Sequence, residues 1–317
     1  IMKPLLQEKA KKVLETASGY VFGQESLLEG ILAALICEGH LLIEGMPGLG
    51  KTFSINTMAK LCDLNFKRVQ FTPDLLPSDL VGTMIYSQKS ESFSTKFGPI
   101  FTQILLADEI NRSPAKVQSA LLEAMAEKQV TIGEETHKLS SPFVVLATQN
   151  PIDQEGTYPL PEAQLDRFMM KVNVDYPSRA AEKKILELEK EPLRKITSMF
   201  STDDVIELQT DVNAVHVDEK IKDLIVDIVH ASRPGNQLFK KEYSDIVLAG
   251  ASPRAVIWLY RVGKFTAYMA GKDFVTPEHI MKIVPDILGH RMILTYEAIV
   301  DGKKGKDIAL KIAQQMI

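Results

Sequence analysis

Cysteine is scarce in this 317-residue chain, and the two that occur, Cys37 and Cys62, each sit inside an apolar pattern of helical spacing. A disulfide-built scaffold is therefore excluded. Both thiols read as reduced core residues, and a cytoplasmic protein is expected. Long apolar runs are missing as well. Ile31–Cys37 is among the longest, reads as an amphipathic helix segment and is far too short to span a membrane. No secretory leader pattern opens the chain. The six histidines are scattered without metal-ligand spacing, so no zinc site is expected. Positive charge is not in excess either: 37 lysines and arginines stand against 41 acids, a net charge of −4. That balance disfavours a chain built for bulk nucleic-acid binding. Internal repeats and low-complexity tracts are also lacking.

What is present points to two domains, the natural expectation at this length. The most informative stretch is Gly45-Met46-Pro47-Gly48-Leu49-Gly50-Lys51-Thr52, which satisfies the phosphate-binding pattern G-x-x-x-x-G-K-[ST]. Its flanks agree. Leu41–Glu44 reads as a short buried strand, and Ile55, Met58, Ala59 and Cys62 recur at helical spacing behind the loop. Glycines let backbone N–H groups wrap a polyphosphate, and a helix N-terminus adds a favourable dipole. Lys51 would reach the β- and γ-phosphates, and the Thr52 hydroxyl would ligate Mg²⁺.

Ile104–Glu109 is the second anchor, an apolar run that ends in two acids. It predicts a central parallel strand with carboxylates at its C-terminal end, where ligands gather in open α/β sheets. Asp108 would hold Mg²⁺, directly or through water, and Glu109 would orient and polarise an attacking water. Phe143–Thr148 is another buried strand, and it ends in Gln149-Asn150-Pro151. If that strand adjoins the acidic one, Asn150 touches the γ-phosphate or the water; otherwise it is an Asn-Pro turn.

The remaining segments are read in order. A helix over 5–18 leads to Gly23-Gln24, either a plain loop before the helix Glu25–Cys37 or a source of backbone contacts to an adenine ring. Lys67–Phe71 is a strand, Gly82–Gly98 a hairpin or irregular projection, and Gln129–Leu139 a hairpin. Ser113 caps a helix that Pro114 begins, with Val117, Ala120, Leu121, Ala124 and Met125 buried. Arg167 ends a short helix, as a surface ion-pair partner or as a cation for a neighbouring subunit's nucleotide. Tyr176-Pro177-Ser178 marks the boundary between a core over 1–176 and a helical domain over 177–317. Within the latter, Ser252-Pro253 starts a helix, and Arg254 in its first turn opposes the helix dipole. Such local conflicts mark functional sites, although an exposed arginine costs little.

Taken together, Gly45–Thr52, Leu106–Arg112, Ala147–Pro151, Glu155–Phe168 and Gly250–Arg254 strongly resemble the MoxR family of AAA+ ATPases, over most of the chain. The Glu155–Phe168 string is far more specific than a phosphate loop alone. The resemblance implies an α/β P-loop NTPase core, a parallel sheet sandwiched by helices, followed by a smaller all-α lid. It implies ATP and Mg²⁺ as ligands, Lys51 and Thr52 in Walker A, and Asp108 and Glu109 in Walker B. It places Asn150 as sensor 1, Arg167 as an arginine finger given in trans and Arg254 as sensor 2. The trans role requires a ring, for which a homo-hexamer is expected. Chaperone-like remodelling, maturation or metal insertion in protein clients is implied, with a partner carrying a von Willebrand factor A domain. A metal-chelatase motor subunit, a nucleotide-gated scaffold with little turnover and, less favoured by charge, a nucleic-acid motor stand as alternatives.

Overall fold

The structure is a computed structural model that describes residues 4–89, 91–151, 158–189 and 196–317. The chain begins with α1 (Pro4–Ser18), α2 (Glu25–Ile36), β1 (Leu41–Gly45), α3 (Lys51–Leu61), β2 (Phe66–Gln70), α4 (Pro77–Val81), β3 (Gly82–Ser87) and β4 (Ser92–Phe97). It continues through β5 (Ile104–Asp108), α5 (Ala115–Glu127), β6 (Gln129–Ile132), β7 (Glu135–Lys138), β8 (Val144–Gln149), α6 (Glu162–Leu165), β9 (Met170–Val174) and α7 (Arg179–Glu189). The last part holds α8 (Thr202–Asn213), α9 (Glu219–Ala231), β10 (Val247–Ala249), α10 (Pro253–Met269), α11 (Pro277–Leu288), β11 (Ile293–Leu294), α12 (Tyr296–Val300) and α13 (Gly305–Gln314).

Five strands form one sheet in the order β2-β5-β8-β1-β9. The pairs β2–β5, β5–β8 and β8–β1 are parallel. In β5 and β8, Ile104–Ala107 and Val144–Ala147 are wholly buried, as are Leu41–Ile43 of β1. Strands covered on both faces need continuous apolar runs rather than alternation, and these three have them. Edge strand β2 is instead largely exposed, with Val69 its one buried residue. Helix α2 lies against β1, β8 and α3. It is buried on nearly every side from Leu27 to Ile36, so the expected amphipathic segment is a core helix.

Two hairpins project from this unit. β3 and β4 pair from Gly82↔Phe97 to Ser87↔Ser92, and β6 and β7 pair from Gln129↔Lys138 to Ile132↔Glu135. The Phe97 ring meets Phe101 at 4.5 Å and His137 of β7 at 5.0 Å, which fixes the base of the first hairpin against the second. Helix α5 starts differently from expectation. Pro114 holds the capping position, and the Ser113 hydroxyl donates to the Ile110 carbonyl at 3.3 Å in the preceding tight turn. Gln118 and Leu122 join its buried face, while Ala120 is only half-buried.

The chain sorts into two compact units that are not contiguous in sequence. A sheet unit takes Lys12–Leu160 and Val172–Asp203; a helical unit takes the residues up to Lys11, Pro161–Lys171 and Asp204–Ile317. This grouping differs from a single cut at Tyr176 for local reasons. The Asp166 carboxylate accepts from Ser252 and Arg291, which ties 161–171 to the helices. The Met199 and Phe200 N–H groups donate to the Leu61 carbonyl, which ties that segment to the sheet unit. In the helical unit, α9, α10, α11 and α13 pack on one another through residues such as Ile228, Leu259, Val284 and Ile312. A small antiparallel pair, β10 with β11, interrupts the helices.

Gly98 tests the hairpin base. A Cβ there would lie 2.2 Å from the Leu80 carbonyl oxygen and 2.6 Å from the Val81 carbonyl carbon, backbone atoms that cannot swing away. Gly98→Ala should cost about 1–3 kcal/mol of stability, seen as a lower urea midpoint; an unchanged midpoint would show that the base yields freely.

Candidate functional site

The glycine loop leaves β1 at Gly45, where a Cβ would meet the Val174 carbonyl oxygen of the neighbouring edge at 2.6 Å. Gly48 and Gly50 lie in open space but have φ of +85° and +75°, a region that glycine enters without steric cost. Helix α3 begins directly at Lys51, so the unpaired N–H groups of its first turn face the loop. The Lys51 ammonium donates to the Gly45 carbonyl at 2.5 Å. Burial lowers its pKa, and Asp108 and then Glu109 oppose that shift. Thr52 follows in the same turn, half-buried.

The acids are held by a hydroxyl and by strand β2. The Thr148 hydroxyl donates to Asp108 Oδ1 at 2.6 Å and accepts from the Glu109 N–H at 2.8 Å. Arg68 donates to Asp108 Oδ2 through Nε at 3.0 Å and Nη2 at 2.6 Å. Glu109 leaves the strand in the left-handed region, φ +56°, a conformation that costs free energy and recurs at functional sites. Its Oε2 accepts from Gln70 Nε2 at 2.9 Å and from Arg112 Nη1 at 3.0 Å. Strand β8 lies between β1 and β5, so the condition for the Asn150 reading is met. Gln149 pairs in register with Glu44, and half-buried Asn150 comes one residue beyond.

Beside the loop, within the same unit, is a cavity of about 1300 Å³. The loop residues Pro47–Gly50 form part of its wall, with Val21, Phe22, Phe53 and Tyr176 supplying apolar and aromatic surface. Buried Gln24 also lines it and donates weakly to the carbonyls of Leu49 and Asp175, at 3.5 and 3.4 Å. Gly23, at φ +72°, packs where a Cβ would touch Pro177 and Ala181 at 3.4 Å. Gln24 thus adjoins the phosphate loop, as the adenine reading of Gly23-Gln24 requires.

Arg167 and Arg254 both belong to the helical unit. Ser252 caps α10, its hydroxyl accepting from the Arg254 N–H at 3.1 Å and sharing its proton with both Asp166 oxygens, each 2.8 Å away. Arg254 Nη1 donates to Asp166 Oδ2 at 3.0 Å. The cation in a first turn therefore has a local counterpart, a carboxylate at the positive end of the helix. Arg291, which sequence reasoning passed over, donates to Asp166 Oδ1 through Nε at 3.0 Å. Burial pulls its pKa down to about 10, with Asp166 the main opposing influence. Glu155, Gly156 and Thr157 of the motif string lie outside the described residues.

A glycine loop between β1 and α3, an acid pair at the end of β5 and one strand between them define a P-loop nucleoside triphosphatase. A family model for ATPases associated with various cellular activities matches residues 40–170, and an AAA lid domain model matches 244–312. The chain belongs to the MoxR family of AAA+ ATPases. It is 45% identical over 281 residues to Chaperone MoxR1 of Mycobacterium tuberculosis, covering 89% of this chain and 74% of that one. It is 43% identical over 305 residues to the uncharacterized protein YeaC of Bacillus subtilis, with 95% and 92% covered. A crystal structure from Cytophaga hutchinsonii, of a protein assigned as an ATPase, aligns with TM-score 0.92 and 46% identity over 98% of this chain and 94% of that one. Among the described residues no helix is long and apolar enough to cross a membrane, and no His/Cys/Asp/Glu group suited to a metal ion occurs.

Thr148 supports both acids at once. Thr148→Val strands the Glu109 N–H and frees one Asp108 oxygen, and should lower nucleotide turnover about 10–100-fold, as loss of supporting contacts does at metal sites. Phosphate release measured at saturating nucleotide checks this; wild-type turnover would remove the hydroxyl from the machinery.

Proposed function

We propose that this protein hydrolyses ATP with Mg²⁺, in a ring of like subunits, and uses the cycle for chaperone-like work on other proteins. The observation that carries the reading is the Thr148 hydroxyl. It locks an acid pair onto the strand beside the one that feeds the glycine loop. Lys51 already offers its ammonium to a loop carbonyl, and phosphate oxygens in the cradle are stronger acceptors for it.

The donor set fits Mg²⁺. Asp108 already engages a cation, the Arg68 guanidinium, and Thr52 adds a hydroxyl oxygen. With so few protein donors, an ion bound there takes much of its coordination from phosphate and water. Asp108 and Thr52 would hold Mg²⁺, which would supply positive charge to offset that of the nucleotide's phosphates. Glu109 orients the attacking water, Asn150 steadies it or the γ-phosphate, and Arg254 serves as the sensor arginine. Arg167 serves a neighbour's nucleotide, which calls for a closed ring, taken as a hexamer. The Gly23-Gln24 corner and the cavity beside it receive the adenine.

For the work done, the support is the relative named Chaperone MoxR1. Remodelling, maturation or metal insertion in protein clients, with a von Willebrand factor A domain partner, extends that relationship. One observation favours a second reading, a nucleotide-gated scaffold: Gln70 and Arg112 both occupy the Glu109 carboxylate. Phosphate release separates the two.

Glu109→Gln should retain ATP while turnover stops; normal hydrolysis by that variant would end the water-orienting role. Arg167→Ala should lower kcat by about 10³–10⁵ with nucleotide affinity kept. Full turnover by wild-type protein shown to be monomeric under assay conditions would overturn the trans assignment.

A further inference from the structure

Strand β2 brings to the acid pair a cation that the reading above leaves without a task. Arg68 and Gln70 are two residues apart and so share one face of β2. Register with β5 sets Arg68 opposite Leu106 and Gln70 opposite Asp108. From there the Arg68 guanidinium closes on one oxygen only. Its Nε and Nη2 both donate to Asp108 Oδ2, at 3.0 and 2.6 Å, while Oδ1 takes the Thr148 hydroxyl. Nη2 donates as well to Gln70 Oε1 at 2.9 Å, a second and neutral hold on its own strand.

Unequal exposure decides how this pair can break. The Asp108 side chain is 12% exposed and the Arg68 side chain 49%. A half-exposed arginine regains water when it leaves and loses little. A carboxylate left buried without a cation is strongly destabilised. Arg68 can therefore leave only in exchange for another cation. Charge balance bears on which one. Glu109 is paired with Arg112 at 3.0 Å, and the charges of both acids also reach the Lys51 ammonium. These three cations stand against two acids, so a bare divalent ion meets no negative charge to spare. A nucleotide brings that charge with it.

We propose that Arg68 is a competing cation at Asp108, which excludes free divalent ions and yields Oδ2 only when nucleotide accompanies the metal. Gln70 keeps the released guanidinium beside the site, from where it returns once the ligands have left. The inference rests on the role proposed above for Asp108 toward Mg²⁺. It assigns Arg68 to the control of metal affinity, and it sets an order in which metal and nucleotide enter together.

The test measures Mn²⁺ binding to the full chain without nucleotide, from the loss of the free ion's electron paramagnetic resonance signal. Arg68→Gln keeps an amide donor but no charge. It should bind Mn²⁺ about 5-fold more tightly than wild type, the upper scale of an exposed ion pair. Mn²⁺ alone should also raise the Tm of that variant and leave the wild-type Tm unchanged. Adding Asp108→Asn to Arg68→Gln should remove both gains, which ties them to this carboxylate. If Arg68→Gln does not fold, Arg68→Lys keeps the charge but loses the two-pronged hold, and should show a smaller gain of the same kind. Equal or weaker Mn²⁺ binding in the folded variants, or a gain that survives Asp108→Asn, would overturn the proposal. The underlying reading has its own check, Mn²⁺ binding to wild type and Asp108→Asn in the presence of a non-hydrolysable ATP analogue. If the two bind the metal equally, Asp108 is not its ligand, and that reading has failed first.

Discussion

Everything at the candidate site depends on three buried strands, β1, β8 and β5, that run parallel and in register. Because Leu42 pairs with Ala147 and Ala107 pairs with the same residue, the phosphate-loop strand and the acid strand are held at a set level by β8 between them. Thr148 then falls beside Asp108, and Gly45 follows two residues after the partner of Thr148. A slip of one residue between β5 and β8 would turn side chains to the opposite face of the sheet and separate the hydroxyl from both acids, and a slip between β1 and β8 would shift the glycine loop relative to them. Burial on both faces makes such slips expensive. The chemistry thus inherits its precision from an apolar core that takes no part in it.

The second feature is how the polar groups are distributed around that frame. Asp108 is buried yet receives a hydroxyl on one oxygen and two guanidinium N–H groups on the other, so no lone charge is left in the interior. Glu109 lies farther out, and its strained backbone turns its carboxylate away from the strand axis toward Gln70 and Arg112. Neighbouring acids in one strand end therefore have different surroundings. One suits a fixed ligand for a cation, and the other suits a group that must handle water. The difference in surroundings between the two adjacent carboxylates has a structural cause in the left-handed backbone of Glu109.

Much of this was legible in the chain because it is local. The loop Gly45–Thr52 and its flanking strand and helix lie within some twenty residues, and phosphate binding needs that continuity. Ile104–Glu109 was legible because a central strand is an unbroken apolar run. Arg68, Gln70 and the role of Thr148 were not, since each matters only once β2 and β8 are known to flank β5. Strand order is a non-local property, and nothing in Phe66–Gln70 announces its neighbour. Ser113 misled for another reason. A Ser-Pro pair fits a capped helix, but a tight turn had already claimed the hydroxyl. Arg291 carried no signal, because its carboxylate partner and the carbonyl of Met169 lie more than a hundred residues earlier.

Asp108 and Asp166 follow one design with different ends. Each is a mostly buried carboxylate with a hydroxyl donor, Thr148 or Ser252, and each has an arginine that is 49% exposed, Arg68 or Arg254. The exposed guanidinium is the replaceable partner in both, because water screens what it would lose on leaving. The difference is the third ligand. Asp166 has a buried arginine that cannot leave, so its position is anchored whatever Arg254 does. Asp108 has only the hydroxyl besides Arg68, so departure of that arginine opens an oxygen to another cation. The two carboxylates share their hydroxyl and exposed-arginine partners and differ in the buried arginine that only Asp166 has.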